Sequence, residues 1–324
     1  MQSPRETTPK SSPPLDVVTL GEAMVLLVAE QTGPLEGVQS FTKRTAGAET
    51  NVAIGLARLG LRVAWASRLG DDSMGRYLRH AIQGEGVNCA QVSLVAGQRS
   101  GFMFKTRVTD GSDPAIEYHR KGSAASLMGP ADLDPRWLSS ARHLHVTGVF
   151  PALTAATLAL THASIDLMRG AGRTVSFDPN LRPALWASTA VMRREINALA
   201  VRADWVLPGL EEGRLLTGAD SAQGIARFYR DAGVSLVVVK LGAEGAYFEG
   251  AEGSGHVPAA AVKTVVDTVG AGDGFAVGVI SALLQGRSVT AATARGTWIG
   301  ARAIQVLGDT EGLPSLTELR AAGM

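Results

Sequence analysis

DTVGAGDGFAVGVISALL, residues 267–284, decides how this chain is read. Gly270, Ala271 and Gly272 carry almost no side chain, so their backbone amides can come close to a ligand. The apolar run behind them has the length of a helix, expected from Gly272 to Gln285, with Asp273 in its first turn. A helix N-terminus offers unpaired N–H groups and the positive end of the backbone dipole, which suits an anion such as the charge developing on a transferring phosphate. A carboxylate inside such an anion hole can accept a proton from an attacking hydroxyl. A plain glycine turn capped by Asp would look the same locally, so the rest of the chain has to separate the two readings.

Just upstream, KLGAEGAYFE, residues 240–249, follows the apolar strand SLVVV and supplies Gly242 and Gly245. Such a turn can pass close to nucleotide phosphates, although a strand ending in a hairpin reads the same way. Neither glycine segment matches GxxxxGK[ST], which disfavours a P-loop enzyme. AGAETN, residues 46–51, does not supply the GxGxxG of a dinucleotide-dependent oxidoreductase.

Farther out, the pattern alternates strand and helix. From Asp16, DVVTLGEAMVLLVAE reads as a first strand interrupted near Gly21 by a glycine-permitted turn. NVAIGLARLG (51–60) is an expected helix, LRVAWASRLG (61–70) a strand, and DDSMGRYLRHAIQGEGV (71–87) a helix capped by Ser73, leading into VNCAQVSLV. FMFKTRV (102–108) and AIEYHR (115–120) then alternate around the turn-rich TDGSDP as an antiparallel hairpin, and a hairpin inside this rhythm suggests a lid. Strands at HLHVTGVF, TVSFDPN, DWVLPG and SLVVVKLG follow, separated by helix-length segments, with a last long helix from Thr290 to Gln305. The expected fold is α/β: a mostly parallel central sheet flanked by helices, with a small β lid. Residues 1–14, MQSPRETTPKSSPP, read as a disordered tail without a signal-peptide core, and residues 15–324 as one domain.

Composition narrows the function. The 324 residues carry 31 Lys and Arg against 30 Asp and Glu, so a net charge of +1 gives no global field for nucleic acid or an anionic membrane. The single cysteine, Cys89, excludes an intramolecular disulfide and a multi-cysteine metal site and fits a reducing compartment. No apolar run reaches membrane-spanning length, and a cytoplasmic location is expected. His143 and His145 alternate along a strand as core residues do.

The segment DTVGAGDGF, Asp267 to Phe275, together with AGAETNVAIGLARLG, Ala46 to Gly60, resembles the two signatures of the ribokinase or PfkB family of carbohydrate kinases, in the family's order and spacing. The similarity covers nearly all of residues 15–324. It implies a ribokinase-like sheet, a lid contributed by about residues 30–45 and 100–121 over the sugar, Mg²⁺-ATP as donor, and room for a monovalent cation such as K⁺ near Asp267. It also implies site residues. Gly47, Ala48, Glu49, Thr50 and Asn51 would line the sugar site with Tyr118, His119 and Arg120 of the lid, and Asp309 would hold a substrate hydroxyl. Asn180 and Arg182 would lie where sugar and nucleotide meet. Lys240, Gly242, Gly245 and Thr268 would border ATP, and Gly270, Ala271 and Gly272 would form the anion hole around the base Asp273.

VTLGEAMV, EYHRKGSAAS, HVTGVFPAL, FDPNLRPALW, LPGLEEGRLLTG and GDTEGLP resemble most closely the family members that phosphorylate 2-keto-3-deoxygluconate, a sugar acid, to its 6-phosphate. Its carboxylate needs a cation, and Arg120 and Arg182 are available for a two-point hydrogen-bonded pair; Lys105 is read as a solvated lid residue. Fructokinase and then ribokinase are the neutral-sugar alternatives, and a non-catalytic sugar or nucleotide sensor is the alternative of another class. The chain departs from the family at Ala46, where a glycine is usual, at Gly209, where the metal-associated motif has Asn before Glu212, and at Thr297, where related kinases carry Asn near the adenine. Glu212 remains for a water-mediated Mg²⁺ contact. Apolar Phe102, Met103 and Phe104 raise the expectation of a homo-oligomer paired through the lid.

Overall fold

A nine-stranded sheet with helices on both faces carries a separate four-stranded sheet over one edge of its strand ends. The computed structural model describes residues 15–108 and 114–324; the expected tail and most of the TDGSDP turn lie outside these. Along the chain run β1 (Val17–Leu20), β2 (Met24–Thr32), β3 (Phe41–Ala46), α1 (Ala48–Arg58), β4 (Val63–Gly70), α2 (Ser73–Gly84), β5 (Asn88–Val95), β6 (Gly101–Arg107) and β7 (Ile116–His119). Then come α3 (Pro135–Ser139), β8 (His143–Thr147), α4 (Ala155–Gly170), β9 (Thr174–Asp178), α5 (Thr189–Ala200), β10 (Trp205–Val206), α6 (Leu210–Thr217) and α7 (Ala222–Asp231). The chain closes with β11 (Leu236–Lys240), β12 (Ala246–Gly250), β13 (Gly253–Val257), α8 (Ala271–Leu284), α9 (Val289–Ala303) and α10 (Leu316–Ala321).

The large sheet has the order β13-β12-β11-β10-β9-β8-β1-β4-β5. Only the β11-β12-β13 hairpins are antiparallel; the other pairings are parallel. Period-two alternation splits its side chains between two cores. Val17, Val63, Leu236 and Val238 join one face with α1 and α8, while Val18, Ala64, Val237 and Val239 join the other with α4, α5 and α7. The β8 and β9 positions on the first face are polar: His143 and His145 hydrogen-bond to Ser176 and are fully buried, and burial pushes His145 down to about 3. They are neutral core histidines.

Helix α8 is apolar around its whole circumference because it is packed on all sides; residues 273–282 are all buried. A Cβ on Gly278 would lie 2.5 Å from the Gly296 backbone, so the α8–α9 crossing requires glycine there. That crossing fixes where the α8 N-terminus points.

The small sheet has the order β3-β2-β6-β7, with β2 and β6 parallel. One face buries Met24, Leu26, Val28 and Met103. On the other, Phe102 stacks on His119 at 4.6 Å and Phe104 meets Phe41 at 5.2 Å. The apolar triplet expected to form one pairing surface is therefore divided, with Met103 turned inward and the two phenylalanines outward.

Two local expectations are corrected. The first long helix starts at Ala48, before Asn51, because Gly47 at φ +151° allows a sharp entry that a side chain would block: its Cβ would stand 2.5 Å from the Glu22 carbonyl oxygen. The cap of α2 is Asp72, whose carboxylate accepts from the Gly75 N–H, with Ser73 already helical.

Candidate active site

The parallel strands β1, β8, β9 and β11 all end on one side of the sheet, where an open α/β sheet places its ligands. Two cavities meet there. One of about 540 Å³ lies between the strand ends and the lid and is lined by Glu22, Gly47, Ala48, Asn51, Met103, Tyr118, Arg120, Asp178, Asn180, Arg182, Glu212, Asp273 and Asp309. The other, of about 660 Å³, is more apolar and is lined by Gly242, Gly245, Ala271, Phe275, Thr297 and Ile304. Lys240, Thr268 and Gly272 border both, so the seam between the cavities is the N-terminus of α8.

At that seam Gly270 adopts φ +84°, and a Cβ there would stand 2.6 Å from the Asp309 carbonyl oxygen. The first-turn amides of α8 have no intrahelical acceptors. Asp273 stands among them, 7% exposed. Asn51 donates to its Oδ2 at 2.8 Å and Asn180 to its Oδ1 at 3.4 Å. Asn180 is held at φ +37°, the one non-glycine residue described with positive φ, and such strain persists only where the surroundings fix it. Burial pushes Asp273 up to about 8; the Asn51 hydrogen bond opposes the rise, and the Asp178 and Asp309 charges add to it. A carboxyl so raised is a stronger base once ionised than an exposed aspartate.

Charged groups surround it. Lys240 Nζ donates to Asp178 Oδ2 at 2.7 Å. Burial alone would lower the Lys240 ammonium, but Asp178, Glu212 and Asp273 outweigh it and hold the group above the ordinary lysine value, while burial pushes Asp178 up to about 6. Glu212 accepts from the Gly209 and Leu181 N–H groups at 2.8 and 2.7 Å, which places its carboxylate at the rim. No group of three or more His, Cys, Asp or Glu suited to a metal occurs among the described residues. The Glu212 carboxylate at the rim fits Mg²⁺, which is held mainly by phosphate oxygens and water with few carboxylates.

Three residues that line the cavity under the lid carry buried acceptors. Glu22 Oε1, Asn51 Oδ1 and Asp309 Oδ1 have no hydrogen-bond partner among the described residues. Buried polar atoms are normally satisfied, and unpaired acceptors on residues that line the cavity suit a polyhydroxylated ligand.

Several expected residues stand elsewhere than supposed. Glu49 does not line the cavity: it is 1% exposed, accepts from Thr147 Oγ1 at 2.6 Å, and burial raises its pKa. Thr50 turns its hydroxyl back to the Gly47 carbonyl. His119 points to the outer face of the lid, because strand alternation sends Tyr118 and Arg120 inward and His119 outward. Arg120 is already committed, with its Nε 2.7 Å from Glu22 Oε2. Arg182 borders the cavity and donates to the Asn180 and Leu181 carbonyls; no ion pair holds it among the described residues, although its charge acts on Asp273. Lys105 is not solvated: it is 0% exposed and its Nζ lies 2.5 Å from Asp267 Oδ2 and 3.8 Å from Asp309 Oδ1. Asp178 and Glu22 escaped the sequence reading altogether, since a lone carboxylate at a strand end carries no signature until its partner across the site is known.

Comparison with known proteins gives a consistent placement. The model of the pfkB family carbohydrate kinases matches residues 14–316. A 2-dehydro-3-deoxygluconokinase of Bacillus subtilis (strain 168) is 47% identical over 306 residues, covering 94% of both chains. The crystal structure of a PfkB protein from Polaromonas sp. JS666 superposes with a TM-score of 0.89 at 64% identity, over 95% of this chain and 99% of that one. That of aminoimidazole riboside kinase from Salmonella enterica, complexed with its riboside and an ATP analog, does so with a TM-score of 0.82 at 30% identity, over 94% and 99%.

Proposed function

The chain belongs to the pfkB family of carbohydrate kinases, and from that premise we propose that it transfers the terminal phosphoryl group of ATP to the 6-hydroxyl of 2-keto-3-deoxygluconate, also called 2-dehydro-3-deoxygluconate. It is a sugar kinase, a phosphotransferase with an alcohol as acceptor. The observation that carries the mechanism is the position of Asp273, at the N-terminus of α8 where the polar cavity meets the apolar one.

In this reading the sugar lies under the lid, its hydroxyls donating to Glu22, Asn51 and Asp309, and the nucleotide lies against the β11–β12 turn with its base beside Thr297 and Ile304. Glu212, at the rim of the cavity, would hold Mg²⁺ through water, and the ion would supply neutralisation of phosphate charge there. Asp273, held at both oxygens by Asn51 and Asn180, takes the proton of the attacking hydroxyl. The α8 amides stabilise the charge that develops on the phosphoryl oxygens, and Lys240, anchored by Asp178, supplies a cation at the seam. Phosphoryl transfer is loose, so positioning and charge stabilisation contribute more than deprotonation.

For the substrate, the 47% identity to a 2-dehydro-3-deoxygluconokinase over 94% of the chain is the strongest support. Arg182 adds a physical reason: it is the cavity-lining guanidinium left free to meet a carboxylate, the role that Arg120 cannot take while paired with Glu22. ADP release with product mass on 2-keto-3-deoxygluconate, fructose and ribose tests this. Preference for the acid supports it; preference for fructose keeps the kinase and removes the sugar acid.

A further inference from the structure

Lys105 is a buried charge that the mechanism above does not use. It belongs to the lid: alternation along β6 turns it inward with Met103, and it is the only fully buried lysine among the described residues. Its ammonium meets not the sugar cavity but the loop that opens α8. Asp267 Oδ2 accepts from Lys105 Nζ at 2.5 Å and from the Gly308 N–H at 3.2 Å, while Asp267 Oδ1 accepts from the Val269 N–H at 3.1 Å. One carboxylate thus ties together the lid, the loop before α8 and the loop after α9. The same ammonium stands 3.8 Å from Asp309, Asp309 lies 3.5 Å from Asn51 Nδ2, and Asn51 holds Asp273 at 2.8 Å.

Two buried carboxylates this close repel each other unless a cation lies between them. An alkali ion placed between these two carboxylates would meet the same oxygens that Lys105 meets.

We propose that Lys105 is a positioning residue acting as a resident monovalent cation: its ammonium holds the loop that opens α8 and Asp309 in the arrangement Asp273 needs, so that turnover requires no free K⁺. The proposal rests on the kinase reading. A lid strand thereby contributes to the anion hole as well as to the cover over the sugar.

The native enzyme tests it first. Rate and melting temperature are measured in potassium, sodium and choline chloride at equal ionic strength. Both are expected to be the same in all three, and specific activation of the wild type by potassium overturns the proposal. Lys105→Ala is then expected to lose roughly 10²-fold in kcat in choline, the scale of an ångström's misplacement of reacting groups. Its KM for the sugar should change less, potassium or methylammonium should restore part of the rate, and Lys105→Arg should retain most of it. A Lys105→Ala enzyme that works normally in choline, or one that no cation restores, contradicts the assignment. If the wild type turns over none of the sugars, the kinase reading fails separately. The melting series still decides this point, because a potassium-specific rise in Lys105→Ala that is absent from the wild type supports the resident cation, and no such rise refutes it.

Discussion

The two walls of the site hold their cations differently. On the lid wall, Arg120 is paired with Glu22 and Lys105 with Asp267 and Asp309, and both side chains are almost or wholly out of water. On the sheet wall, Lys240 is anchored by Asp178 yet borders both cavities, and no ion pair holds Arg182 among the described residues. Cations consumed by buried carboxylates organise; cations left facing a cavity are available to an anionic ligand. The paired cations of the lid wall therefore organise the site, while the sheet wall offers positive charge to phosphate and carboxylate.

Lys240→Met attacks this contrast most directly. Loss of the seam cation is expected to lower kcat by roughly 10²–10³-fold, the scale of removing one preorganised donor, with the KM for the sugar nearly unchanged. A kcat within a few fold of wild type would make Lys240 a structural partner of Asp178 only. Arg182→Met should act more weakly and selectively. A charge-assisted pair worth about 1.5–3 kcal/mol corresponds to roughly 10- to 100-fold in kcat/KM for the sugar acid. Any residual rate on fructose should fall much less, since there Arg182 acts only through its charge on Asp273, and equal losses on acid and neutral sugars would break the assignment.

The smallest effect concerns the base between the two walls. Asp273 must be ionised to accept a proton, so activity rises with pH through its pKa, and the acid limb of kcat/KM is expected well above the ordinary carboxylate range, towards about 8. Asn51 donates to the charged form and so lowers that pKa. Asn51→Leu removes the donor and should move the limb to higher pH by about one unit. A limb that stays in place would show that Asn51 does not tune the base.

The sheet wall was largely legible in the sequence and the lid wall was not, for a physical reason. Strand β11, the β11–β12 turn and the opening of α8 combine apolar runs with glycines whose conformations almost define the structure; Gly245, at φ +96°, would place a Cβ 2.0 Å from the Val257 carbonyl oxygen. The lid's chemistry depends on which face of a strand each residue takes and on partners more than 90 positions away, such as Glu22 for Arg120. Alternation alone could have turned Lys105 inward with Met103 and His119 outward. Nothing local could have matched Lys105 with Asp267, 162 residues on, or Asn51 with Asp273, 222 residues on. Glu49 was misplaced for a related reason: the α1 entry turns it beneath the cavity, toward Thr147 at the end of β8.

The central claim is that a buried carboxylate at the α8 N-terminus is the base in phosphoryl transfer to a sugar acid. ADP release with product mass, for wild type and Asp273→Ala on 2-keto-3-deoxygluconate with Mg²⁺-ATP, tests it most directly. The account predicts a phosphorylated sugar acid from the wild type and a rate lower by roughly 10²–10⁴-fold in the variant, the usual contribution of general-base catalysis, with sugar binding retained. An Asp273→Ala enzyme that releases ADP and forms the same product at the wild-type rate would contradict it.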